Sequence, residues 1–499
     1  MNRRLYIFLV LFIILSGCAY TPHPVRSPYL GHDTPAGRCA DFFAALDQAV
    51  KQAGIRDPGE FRLQNHPYLR ADRFLASFST QIDDGDNGAA FGDWVKRLQH
   101  LDQKARFSEI ANLPPKSLSY LHLETAETDI RQEVIRCGDI LKTVDFENAD
   151  QRRKFRAAIK SVDDYILLRR IVGLYPITGL FVSSGIYRYQ NEVYKSFNNQ
   201  PPPPGWQKIR YLPAVSKGSQ PSAFDILKTA GRDAIGIPEY SAQDLKTLFE
   251  FFAPIWEVQT EGDFDQIGTP FWTADKNPAI DTSRPFSFQR LSFSRFEGKI
   301  LTQLNYVVWF PARPKEGAFD IYGGLIDGLI YRVTLDGDGQ PLLYETVHNC
   351  GCYHKFYPTE RLQVLKKSDY AEKPLVLKAP AADLDSARMV VALETRTHYV
   401  LSLYSLSRQI KTAAVSYSFA DYDQLRSLRY SENANRSFFR EDSIVDGSER
   451  LERYLLWPTG VLSPGAMRQW GRHSVAFVGK RHFDDPDLIE KIFQRVDLH

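Results

Sequence analysis

Four residues with metal-binding or redox side chains alternate strictly between Tyr344 and Pro358: His348, Cys350, Cys352 and His354. Imidazole nitrogen and thiolate sulfur are the usual donors to zinc. In an extended strand all four share one face, but at about 3.3 Å per residue His348 and His354 stand about 20 Å apart. Zinc bonds are about 2.0–2.3 Å long, so binding one ion with all four ligands requires a turn at Asn349-Cys350-Gly351. Gly351 permits such a turn. Adjacent pairs are less demanding: His348 with Cys350, or Cys352 with His354, completed by His398, His473 or His482. A zinc with an open position activates water, so the metal reading leads to a hydrolase. The competing reading is a Cys350–Cys352 disulfide, whose Cα atoms reach about 5.5–6.8 Å if the backbone bends. A structural bridge is favoured over a redox pair, because no Cys-x-x-Cys on a helix lies nearby. Free buried thiols are the third outcome.

A second cluster lies near the end of the chain, where Glu449, Glu452, His473, His482, Asp484 and Asp485 mingle with Arg450, Arg453, Arg468, Arg472 and Arg481. An acid–base site would use His473 or His482, with Asp484 as the orienting carboxylate. The arginines suit a carboxylate or phosphate ligand. An ordinary mixed surface with partly buried ion pairs has the same composition. The chain carries no Gly-x-Ser-x-Gly, Gly-x-Gly-x-x-Gly, phosphate-loop or His-Glu-x-x-His pattern. Tyr306, Trp309 and Arg313 could line a carbohydrate or peptide groove, although packing in a strand core accounts for the aromatics more readily.

The elements that must position these residues follow an unusual beginning. Arg3 and Arg4 precede an apolar run from Leu5 to Leu15, too short to span a bilayer, and the run ends in Leu15-Ser16-Gly17-Cys18. This stretch resembles the lipobox signal peptide of bacterial lipoproteins. The resemblance implies that residues 1–17 are removed and that Cys18 carries acyl chains. With Ala19 following, it also implies delivery to the outer membrane, facing the periplasm. Loss of residues 1–17 removes two arginines and no acid, so 62 Lys+Arg against 60 Asp+Glu becomes 60 against 60. That balance gives no electrostatic case for nucleic acid. In an oxidising compartment the four remaining cysteines pair most economically as Cys39–Cys137 and Cys350–Cys352.

Residues 18–38 hold four prolines and no periodicity, and form the tether. Residues 39–199 carry helical spacing: Phe42, Phe43, Leu46 and Val50, then Trp94, Val95, Leu98 and Leu101, then Phe155, Ile159, Val162 and Ile166 in one long helix. The uncharged stretch 171–187 reads as a buried helix–turn–helix, with a membrane-surface or partner-facing segment as the alternative. Pro201–Pro204 lie in a polyproline linker, 200–205. Residues 206–499 are β-rich, with a hairpin around Asp336-Gly337-Asp338-Gly339 and a short helix at the C-terminus. The expected class is α+β, a mainly helical domain followed by a sandwich-like β-rich one. The expected role is a lipid-anchored, periplasm-facing module that binds an envelope protein or a small ligand, with the zinc-type hydrolase as the alternative.

Overall fold

The computed structural model describes residues 33–496 except 83–87, 119–126, 204, 216–221, 318, 368 and 410–411. The lipobox-like segment, Cys18 and most of the tether therefore lie outside the described residues. The chain is α+β, with helices in the N-terminal part and a large curled mixed sheet after it.

Helix α1 (Pro35–Ala53) starts where Thr34 Oγ1 accepts the Gly37 amide and stops at Gly54, which takes the left-handed φ of 65° that ends a helix cheaply. Its Cys39, Phe43, Leu46 and Val50 pack against α3 (Ala89–Asn112), α4 (Glu127–Asp145) and Phe155 of α5 (Ala149–Ala158). The one-turn α2 (Arg73–Ala76) is capped by Asp72. The long helix expected through Ile166 is broken. Helix α5 ends at Ala158 and α6 (Leu167–Val172) begins afresh, because Asp163, Asp164 and Tyr165 are drawn into contacts with the C-terminal segment. Tyr165 donates to the carbonyls of Ala476 and Arg481, and Asp164 pairs with Arg472 at 3.0 Å.

Among the described residues eleven strands form the sheet: β1 (Lys208–Pro213), β2 (Ile255–Gln259), β3 (Phe286–Phe296), β4 (Lys299–Arg313), β5 (Gly324–Leu335), β6 (Pro341–His348), β7 (Lys355–Pro358), β8 (Leu375–Val376), β9 (Ala387–Leu393), β10 (Val400–Ser407) and β11 (Val415–Asp421). Their order is β8-β7-β6-β5-β4-β3-β11-β1-β2-β9-β10. Strand β11 turns the corner: its residues 415–417 pair with β1 and residues 418–421 with β3. Strands that switch partners in this way let a sheet fold back on itself. The two wings meet over one core, in which Tyr306, Val308, Tyr331 and Val333 face Trp256, Val258, Val391 and Leu403, as the sandwich-like expectation requires. The alternate residues Val307, Trp309, Ile330 and Val347 are buried too, under Phe438, Phe439 and Trp470. Central strands with both faces covered read as apolar runs.

Three further expectations are corrected. The C-terminal segment makes turns and a three-residue strand (Phe493–Arg495) rather than a helix, because Leu488, Ile489, Ile492 and Phe493 all insert into the outer core. Helix α7 (Tyr175–Ser196), assigned above to the helical domain, reaches the sheet core through Val193, so packing does not change hands at the prolines. Residues 171–187 are not buried: Leu180 and Phe181 expose 71% and 77% of their surface.

The helical part is fastened to the sheet by charge. Arg426, only 1% exposed, meets Asp57 at 2.7 Å and Glu60 at 2.8 Å. Arg73 of α2 grips Asp484 with contacts of 2.8 and 2.9 Å.

Candidate functional site

The opening tetrad does not converge on one point. Strand β6 ends at His348, the Gly351 amide donates to the His348 carbonyl at 2.7 Å, and the chain returns as β7. Gly351 takes φ 88°, which the turn requires. The two histidines leave opposite faces of the sheet. His348 lies 3.7 Å from Asp327, whose other oxygen is 2.8 Å from His398; His398 in turn stands 3.4 Å from Asp265. Burial opposes charge on His398, but the Asp265 and Asp327 carboxylates overcome it and raise its pKa. This buried His–Asp–His–Asp chain joins β6, β5, the β9–β10 turn and the segment before β3. His354 faces the other way, 3.0 Å from Glu345, which also holds Arg332 at 2.7 Å. Burial, only partly offset by Glu345, pushes His354 down to about 4.

Cys350 and Cys352 are free, buried thiols in the outer core, not the expected bridge. Their turn brings the Cys352 amide to 3.3 Å from the Cys350 sulfur, and the thiol proximity and burial hold Cys352 well above the usual thiol range. Among the described residues, the one group of three or more His, Cys, Asp or Glu with meeting ligand atoms is Cys39, Glu133 and Cys137. Two of these form the expected disulfide, with Cα atoms 5.0 Å apart.

The second cluster is interior rather than surface. His473 is 1% exposed and pushed down to about 3, chiefly by burial and by Arg468. His482 lies between Asp485 at 3.4 Å and Asp163 at 3.8 Å, and Asp484 is bound by Arg73 rather than orienting either histidine. The arginines are spent on the fold: Arg450 donates to the carbonyls of Leu325 and Ile326, Arg468 to Leu462 and Ser463, and Arg481 to Glu372. Tyr306 and Trp309 are fully buried core residues.

Asp484 does reach a cavity. A space of about 450 Å³ lies in the seam between the helical part and the sheet. Its apolar lining comes from Phe74 of α2, Phe249 of α8 (Ala242–Phe252), Leu291 and Phe293 of β3, and Trp470. Helix α8 is placed by a capping box between Ser241 and Asp244. Polar groups enter from each wall: Asp72 and Asp484 from one side, Arg290 and Asp423 from another, and His100, Lys104 and Lys246 toward solvent. Arg290 bonds Asp423 at 3.0 Å and lies over the Trp470 ring at 5.5 Å.

Asp72 is the perturbed group. Its carboxylate accepts the Leu75 amide at 2.7 Å as the cap of α2. Burial pushes its pKa up to about 6, against that amide bond, and Asp484 and Glu60 add to the rise. Asp484, held by Arg73, is its electrostatic neighbour. With its pKa raised to about 6, the Asp72 carboxyl takes up a proton more readily than an ordinary aspartate, beside an arginine-bound carboxylate and in a space of ligand size at a seam between packed units. A second, more open groove of about 700 Å³ runs beside the β5–β6 turn, but Asp336 and Asp338 there already bind Arg495 and Arg361 at 2.6 and 2.8 Å.

No family model matches the chain, and no curated protein or solved structure does.

Proposed function

We propose that this chain is a lipid-anchored protein of the bacterial envelope, held by Cys18 at the outer membrane and facing the periplasm, whose work is to bind a small ligand in the seam cavity. The observation that carries the binding role is the composition of that cavity. An apolar floor of Phe74, Phe249, Phe293 and Trp470 is ringed by charged and polar side chains of both signs, among them Arg290, Asp423, Asp484 and a carboxyl, Asp72, shifted to about 6. Such a lining favours a ligand with an apolar body and a hydrogen-bonding end. The hydrolase alternative loses its assembled ligand set, because the sheet separates His348 from His354. Acid–base chemistry in this protein is better supported at Asp72 and Asp484.

Native mass spectrometry of the full chain tests the proposal. A small molecule should ride with the wild-type protein, or raise its melting point when amphiphiles with polar heads are added. Leu245→Trp, which fills the cavity from α8, should abolish both. Binding that survives Leu245→Trp would place the ligand elsewhere and sink the proposal.

A further inference from the structure

Helix α6 and the first half of α7 carry apolar residues that none of the described residues covers. Leu167, Ile171, Leu174, Leu180 and Phe181 each expose 62–77% of their surface. Tyr454 and Leu455, in the one-turn helix α9 (Arg453–Leu456), expose 63% each. These belong to one face. The Ile166 amide donates to Gly460 at 2.8 Å, Arg170 donates to the Thr459 carbonyl at 2.6 Å, and Gly173 sits so close that a Cβ there would meet Pro458 at 2.5 Å. At about 150–200 Å² per large side chain, the patch amounts to roughly 800 Å². Soluble monomers rarely expose more than a few hundred Å² of contiguous apolar surface.

The charges around the patch indicate what covers it. From Tyr165 to Asn191 there is no Asp or Glu, while Arg169 and Arg188 fall in the same stretch; Arg170, also there, is buried on the Thr459 and Gly479 carbonyls. An apolar stripe in a cationic, acid-free segment suits an anionic lipid surface better than a second copy of itself, which would bring arginines against arginines. Tyr187 and Tyr194 on α7, 68% and 50% exposed, and Tyr454 are the amphipathic rings that settle at headgroup depth. No described helix is long and apolar enough to cross a membrane, so the segment lies along the surface. The length of chain ahead of the fold agrees. Fifteen residues lie between Cys18 and Thr34, the cap of α1. Such a tether averages about 20–25 Å and cannot exceed about 55 Å, which keeps the body beside the bilayer.

We propose that α6, the first half of α7 and α9 form a single apolar face that seats this protein in the headgroup–acyl boundary of an anionic bilayer. The choice of a bilayer as occupant rests in part on the lipid anchor proposed above. Seating of this kind fixes the orientation of the body, and with it the direction in which the seam cavity faces.

The test is carbene photolabelling of the full chain in vesicles of phosphatidylethanolamine and phosphatidylglycerol that carry a photoactivatable acyl chain, mapped by peptide mass spectrometry. Label is expected within residues 166–181 and 451–455 as well as at the N-terminus. In the Leu180→Glu/Phe181→Glu variant, whose changes touch only exposed positions, label on 166–181 should fall about tenfold or more while N-terminal label persists. Label confined to residues 1–34 would leave the anchor standing and overturn the seated face. Label nowhere would overturn both. An unlabelled face in a protein that sediments as a dimer would overturn the bilayer and assign the patch to a second copy.

Discussion

Replacing Asp72 by asparagine is expected to stabilise the protein at neutral pH and to change it little in acid. The Asp72 carboxyl is shifted from 3.8 to about 6, with burial the main cause, and Asp484 and Glu60 adding to it against the Leu75 amide and Arg290. A folded-state pKa above the unfolded one means that the folded protein holds the proton more tightly. The penalty is therefore absent well below pH 4, grows as pH rises from about 4 to 6, and is complete above that. A shift of about two units corresponds to about 3 kcal/mol at 1.36 kcal/mol per unit, and contact with the cavity's water trims this to about 2 kcal/mol. Asparagine matches aspartate as a helix cap, so the bond from the Leu75 amide is retained and only the charge is removed. Urea unfolding of both proteins at pH 4.0 and pH 7.5 measures the effect. The variant should lead by about 2 kcal/mol at pH 7.5 and by a few tenths at pH 4.0. Equal or lower stability at pH 7.5, or a gap that ignores pH, would refute the argument. A carboxylate kept at a cost to stability is what a working site looks like, and ligand binding should weaken in the variant that gains stability.

Arg426→Met leaves buried Asp57 to the Gln469 amide and Glu60 to Arg290 at 3.3 Å, and should cost about 3–5 kcal/mol in thermal or urea unfolding. Neutralising all three residues together should restore most of that loss, and a single-variant loss below about 1 kcal/mol would show that the clamp is dispensable. The Cys39–Cys137 bridge spans 98 residues, so Cys137→Ser should lose on the order of 4–5 kcal/mol in the chain-entropy picture. Thiol titration of the denatured, unreduced wild type should find Cys350 and Cys352 but neither Cys39 nor Cys137. A free Cys39 would remove the basis of that prediction.

The legible part of the sequence was the part governed by neighbours along the chain. The Gly54 end of α1, the β5–β6 hairpin and the paired strands 387–407 follow from turn residues and alternation, and each formed, although α1 begins at Pro35, inside the stretch assigned to the tether. The Cys39–Cys137 pairing was reachable by counting. Periodicity alone did not show the break at residues 159–166, because the interactions that cause it come from residues 472–481, some 300 positions away. The alternation of His348, Cys350, Cys352 and His354 was a true signal of extended chain on both sides of a turn, but sharing a face along one strand ends where the strand reverses. Helix α3 gave its apolar face to inspection and hid its other one. Asp102, Arg106 and Glu109 look solvated by type, yet are at most 1% exposed, matched by Arg70 and Asp47.

The cavity was the least legible feature, and the reason bears on how it works. Asp72, Arg290, Asp423 and Asp484 come from four distant parts of the sequence and meet only when the helical part docks on the sheet. Docking sets an ion cluster on each flank. Asp423, on the wall, is bound by Arg290 and by Arg426, the residue that holds Asp57 and Glu60. Asp484, across the cavity, is bound by Arg73, which also accepts no partner change without releasing the Gly471 and Val162 carbonyls. Opening the seam would strand several buried charges at once, each at a cost of kcal/mol. The cavity is thus preformed rather than assembled by hinge closure, and the ligand proposed above would meet fixed walls there. Preorganisation of that kind spares the ligand the cost of ordering its own site. It also predicts that loss of either clamp weakens binding through a looser cavity, even where the substituted side chain never touches the ligand.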